Sequence, residues 1–211
     1  MRKAAVDAAI VEFVSQWPGS SETTASERLL ATGRRGIERT IELWFLPWSA
    51  ELKRPSIPTG NRHGWEAALE LLALSYPKDF VDCIIRKPMN ATFLSIVATT
   101  DDPRSTKILC DQVDSYDWLL RYNAVRSLMR SRRSDGKLCL ERALGDENLV
   151  VRSRAIEGIS RWDPERAKRL YEEQLTEPDL TPLLRTEAES ALQDLRLGRP
   201  VRHALDPMPE H

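Results

Sequence analysis

The sequence predicts an all-α fold, an array of stacked helical hairpins, and three observations carry that prediction. A short pattern recurs, with Arg followed by Ala three residues on and a large aliphatic residue seven on. Its copies are Arg121, Ala124, Leu128; Arg152, Ala155, Ile159; and Arg185, Ala188, Leu192. They lie about 31 and then 33 residues apart, the period of a repeat built from two helices. On a helix, offsets of 0, 3 and 7 fall within about 60° of one another, so each copy marks one buried stripe. The residue before each arginine, Leu120, Val151 or Leu184, is aliphatic as well. Finally, β-branched runs with two-residue alternation are absent. Together these predict an α-solenoid of about four to five hairpins behind an aromatic-rich helical N-terminal cap.

Taken in order, residues 1–16 read as an amphipathic helix, closed by Trp17-Pro18-Gly19-Ser20-Ser21. A second helix is expected over 22–31, interrupted by Gly33 to Gly36. The stretch from Arg39 to Trp65 is broken by Pro47, Pro55, Pro58 and Gly60 into a short helix and a loop. Four of the six tryptophans, Trp17, Trp44, Trp48 and Trp65, fall in this part of the chain. Their simplest role is to cover the end of a repeat core; Trp44 and Trp48 are the alternative docking patch if that surface is exposed. The repeat weakens here without vanishing. Asn90, Phe93 and Val97 occupy the equivalent positions one unit before Arg121, and Arg62, Trp65 and Leu69 one unit earlier.

Between the arginine-bearing helices lie others. Asp101-Asp102-Pro103 caps a helix over RSTKILCDQV, Asp135-Gly136 opens KLCLERAL, and Asp163-Pro164 opens ERAKRLYEEQL. The expected organisation is a cap over 1–61, an array over 62–197 that is clearest from 104, and a mobile tail over 198–211 with Pro200, Pro207 and Pro209.

Lys plus Arg number 31 and Asp plus Glu 32, for a net charge of −1. That balance gives no general attraction to nucleic acid or to an anionic membrane. Asp7 and Glu12 interrupt the N-terminal apolar run, which therefore reads as a mature helix and not as a signal peptide. No apolar run reaches the roughly 20 residues of a membrane span. Cys83, Cys110 and Cys139 are widely spaced without a C-x-x-C pair, and read as small buried thiols in a reducing cytoplasm. Asn90-Ala91-Thr92 matches the glycosylation pattern, a coincidence without a secretion signal.

Helix pairs of this length, an aspartate in the inner turn and D-x5-R-x2-A-x3-[LI] across the second helix resemble HEAT repeats over about residues 104–197. The resemblance implies that second helices line a concave face and that turn aspartates pair with arginines of adjacent repeats. Arg152 and Arg185 with Asp146 and Asp179 would form that ladder, with Arg121 joining through a partner the pattern does not fix.

On the second helices, positions +2, +5 and +9 from each arginine lie at about 140° to 200°, away from the buried stripe. They read Asn123, Arg126, Arg130; then Arg154, Glu157, Arg161; then Glu187, Ser190, Asp194. The preceding unit offers Thr92, Ser95 and Thr99. The sign changes from positive to negative along the array, which suits one shaped protein partner better than a phosphate backbone. Asn123, Arg126, Arg130, Arg154, Glu157 and Arg161 are therefore the expected partner contacts.

The resemblance implies a non-catalytic protein-binding module: an adaptor, a complex subunit or an immunity-type inhibitor that neutralises a toxin. It also includes enzymes, the alkylpurine DNA glycosylases and the bilin lyase-type subunits, as the alternative reading. Trp118 with Asp117 is the nearest feature to a glycosylase centre, but the neutral charge balance argues against it. No catalytic, cofactor or metal signature is present. His63 and Cys83 lack a recognised spacing for a nucleophile and base, and Thr32-Gly33-Arg34-Arg35-Gly36 reads as a helix terminator with solvated charges.

Overall fold

The computed structural model describes residues 2–18, 22–45, 62–131 and 134–201. Among these residues every regular element is helical. None of the helices is long and apolar enough to cross a membrane. The chain divides into two compact units, 1–108 and 109–211. The expected boundary between cap and array at 61/62 lies inside the first.

In the first unit, α1 (Lys3–Gln16), α2 (Glu22–Leu30) and α3 (Gly33–Trp44) precede α4 (Arg62–Ser75), α5 (Pro77–Ile84) and α6 (Ala91–Thr99). Helix α1 packs on α2, α3 and α4, while α4 also meets α5 and α6. Ile10, Leu29, Ile41, Leu69, Phe80 and Phe93 are fully buried and make its core. The second helix ends at Leu30, before Gly33 to Gly36 as expected, and that stretch also begins the next helix. Gly33 takes φ +54, a left-handed turn that L side chains rarely adopt, and α3 starts there. Arg39 bonds Asp7 at 2.6 Å, tying α3 to α1. Arg34 reaches Glu38, Asp79 and Asp82, so its charge is paired and not merely solvated.

The three described N-terminal tryptophans differ in burial. Trp65 is buried, Trp17 is 38% exposed and stacks on Phe13, and Trp44 is half-buried with its ring edge-on to Phe93. Trp48 lies outside the described residues, as does the proline-rich loop around it.

Helix α7 (Arg104–Val113) carries the division between the units. Asp102 caps it, accepting from the Arg104 backbone N–H at 2.8 Å. The second unit continues with α8 (Trp118–Arg130), a 3-10 turn (Ser134–Gly136), α9 (Lys137–Ala143), α10 (Leu149–Ser160), α11 (Pro164–Leu175) and α12 (Pro182–Arg196). Starts are set by capping: Asp117, Asn148, Asp163 and Thr181 each accept a backbone N–H of the first turn, and Pro164 and Pro182 stand at the first helical positions. Asp135-Gly136 forms the 3-10 turn ahead of α9 and gives no side-chain cap.

Helix α10 is the centre of this unit, packed against α8, α9, α11 and α12. Small residues let it approach closely. Ala124, Ala155 and Ala188 have no exposed surface, and the aliphatic residues at +7, Leu128, Ile159 and Leu192, are buried beside them. A Cβ added at Gly158 would meet the Leu140 side chain at 3.1 Å and Met129 at 3.3 Å. The tail expected to be mobile from 198 stays attached at its start, where Val201 packs on the cluster of Tyr171, Ala188, Leu192 and Leu195.

Cys110 and Cys139 form a disulfide with Cα atoms 5.5 Å apart, joining α7 to α9. This corrects the reading of three unlinked thiols; only Cys83 is free. Disulfides are rare in reducing compartments, so the cysteines no longer argue for a cytoplasmic location.

Candidate functional site

The repeat arginines turn out to be structural. Arg121 is 7% exposed, and its guanidinium forks onto Asp146 at 2.7 and 3.0 Å, with further bonds to Glu147 and to the Ser115 and Tyr116 carbonyls. Asp146 is held in place because it also accepts from the Asn148 N–H at 2.8 Å. Hydrogen bonding to Asp146 raises the Arg121 pKa above its ordinary value despite burial.

Arg152 pairs at 3.0 Å with Glu177 and not with Asp179. The physical reason is register. Glu177 stands 25 residues after Arg152, as Asp146 does after Arg121, whereas Asp179 stands 27 after it because the second repeat is two residues longer before its next arginine. Arg185, with no later repeat in the described chain, donates to the Leu175 carbonyl at 3.2 Å. The rung whose partner the pattern left open is thus the best built.

The expected contact row divides when side chains are placed. Arg154 and Glu157 are 3% and 2% exposed and pair with each other at 2.5 Å. Arg154 also donates to the Tyr122 hydroxyl at 3.1 Å and lies over that ring, 5.5 Å from its centroid. Burial works against the Arg154 charge, but Glu157 and Tyr122 outweigh it and hold the pKa above the ordinary value. Burial likewise pushes Tyr171 up, with Glu157 adding to it. Arg154 and Glu157 are therefore a buried pair within the packing of α10 and not open contacts. Helix α10 packs against α8, α9, α11 and α12, so its face opposite the core stripe is covered too.

On α8 that face stays open. Asn123 and Arg126 are half-buried and Arg130 is exposed. Asn123 Nδ2 donates to the Leu119 carbonyl at 2.7 Å, and Arg126 makes no ion pair among the described residues. Arg161, exposed at the C-terminal end of α10, donates to the Met129 carbonyl. Immediately before α8 and in its first turn stand Tyr116, 97% exposed, Trp118, 46%, and Leu119, 50%. Leu119, Asn123, Arg126 and Arg130 follow the i, i+4, i+7, i+11 spacing of a single helix face. The sequence contained this signal: continuing the same face backward from Asn123 leads to Leu119. The nearby acids are engaged, Asp117 capping α8 through the Leu119 N–H, Glu147 on Arg121 and Asp114 on Arg142.

Asp117 caps α8 beside an exposed Trp118. His63 lies 3.5 Å from Glu66, and Cys83 is coupled to Arg34, Glu38, Asp79 and Asp82, with burial raising its pKa. No group of three or more potential metal ligands occurs among the described residues. In the first unit, Trp44, Arg62, Asn90, Ala91 and Thr92 line a small pocket of about 260 Å³, with Arg62 over the Trp44 ring.

The family model of HEAT repeats matches residues 106–193. Helical hairpins, buried small residues and an arginine rung are what that stretch displays, and it is similar to HEAT repeats. No curated protein and no solved structure matches the chain.

Proposed function

We propose that the protein is a non-catalytic binding module that recognises a protein partner through the outward face of α8. The observation that carries this reading is the run of exposed Tyr116, Trp118 and Leu119 leading into Asn123, Arg126 and Arg130 on one helix. Aromatic residues and arginines are the types that dominate binding energy at protein interfaces. Among the described residues the apolar rim is exposed, and Arg126 makes no ion pair. HEAT repeats often serve protein interactions, which agrees with this use. Arg161 extends the basic surface, while Arg154 and Glu157 support it from beneath. The adaptor, complex-subunit and toxin-neutralising roles all draw on such a face.

Affinity capture tests it, with wild type compared against Arg126→Glu/Arg130→Glu and against Trp118→Ser/Leu119→Ser, each checked for helical content. A partner retained by wild type and lost by both variants is the expected result. The same proteins on all three baits would refute the reading. Retention by both variants with loss on Trp44→Ala would move the interface to the alternative patch.

A further inference from the structure

A second feature lies where α10, α11 and α12 end or begin: a pocket of about 520 Å³ whose walls include Arg161, Arg199, Pro164, Leu195, Pro200 and Val201. Its volume falls in the range of small-ligand sites. Among the described residues its lining combines two arginines with an apolar wall and includes no acidic residue.

Arginines near helix C-termini commonly serve only to satisfy the last carbonyls. That role is already filled here. The Asp194 carbonyl accepts from the Leu197 and Arg199 backbone N–H groups, Leu195 from Gly198, and Gly158 from Arg161. The Arg199 side chain makes no hydrogen bond or ion pair among the described residues. Gly198, at φ +67, turns the chain so that Arg199 to Val201 forms a wall of the pocket. Arg161 spends one guanidinium N–H on the Met129 carbonyl, which fixes its position and leaves other donors. Asp163, the nearest acid in sequence, is used on the Arg166 N–H, and the Ser160 hydroxyl donates to the Glu157 carbonyl.

We propose that this pocket binds a carboxylate carried on an apolar body. A guanidinium presents paired donors in the geometry of a carboxylate, and two facing one space can hold a single carboxylate between them. A bare inorganic anion would leave the Leu195, Pro164, Pro200 and Val201 wall uncovered. The two sources of such a group are a small organic acid and the C-terminal residue of a polypeptide. The site shares Arg161 with the basic surface beside α8 but is separable from it: Arg199 lines the pocket and is absent from that face, and Arg126, which lies on that face, is not among the pocket's lining residues.

Calorimetric titration tests the proposal with four probes: 3-phenylpropionate, acetyl-Gly-Ala-Phe with a free C-terminus, the same peptide amidated, and inorganic phosphate. Saturable binding of the first two is expected, at least ten-fold tighter than the amide or phosphate. Arg199→Gln, an exposed change, should weaken it at least ten-fold at unchanged melting temperature. Arg161→Gln should weaken it similarly. Tighter binding of the peptide assigns the pocket to chain ends, and tighter binding of phenylpropionate assigns it to small acids. No saturable binding of either carboxylate, equal binding of the amide, or indifference to both variants overturns the proposal.

Discussion

At the scale of the residue, charge in this chain is decided by local company. Arg121 and Arg152 occupy the same repeat position, yet Arg121 is buried with a forked aspartate while Arg152 holds one half-exposed glutamate. The first is a fixed part of the packing; the second, exposed to water, contributes about 0–1 kcal/mol. Asp102 shows the same principle with a measurable consequence. Its side chain is 2% exposed and accepts from Arg104 at 2.8 and 2.9 Å as well as from that residue's backbone. The Arg104 bond holds the Asp102 carboxyl below its ordinary value against the opposing effect of burial. A depressed folded pKa gives stability that is full above the unfolded value, about 3.9, and is lost as pH falls through the folded one. Thermal unfolding followed from neutral to acid pH should therefore show Asp102→Asn less stable at pH 7, with the gap to wild type closing in acid. A gap that does not change with pH would contradict this.

At the scale of the element, close approach governs. Ala155 has no exposed surface at the centre of α10, so Ala155→Glu buries a charge without a partner. A loss of about 3 kcal/mol or more in chemical denaturation is expected; an unchanged midpoint would sink the packing scheme. The first helices are joined differently, α7 to α9 by the Cys110–Cys139 disulfide and α9 to α11 by Arg166 on Glu141 at 2.5 and 2.6 Å. Thiol titration of the denatured, unreduced protein should count one cysteine, Cys83, and reduction should cost about 2–4 kcal/mol of stability. Three reactive thiols before reduction would remove the cross-link from the account.

These elements also explain what could be read in advance. The arginine, alanine and aliphatic spacing located α8, α10 and α12 because period and burial are properties of one helix. The disulfide was not readable, because pairing depends on which helices stack, and the 29 residues between Cys110 and Cys139 carry no motif. Glu177 was missed for a related reason: the ladder keeps its distance forward from the arginine, and the longer second repeat displaced Asp179. The burial of Arg154 and Glu157 required knowing that α10 has neighbours on all sides, which no single-helix projection contains. The same projection, extended by one turn, would have found Leu119.

For the molecule as a whole, the stretch that matches HEAT repeats stacks its second helices, and among the described residues the outward face of α8 carries exposed aromatic and basic side chains together. That contrast between α8 and the enclosed α10 is the basis of the functional proposal. Amide hydrogen exchange of the protein with and without its captured partner is the most direct measurement. Added protection concentrated between Tyr116 and Arg130 is the predicted result. Protection confined to the segments around Trp44, or none above background, would contradict the assignment of the α8 face.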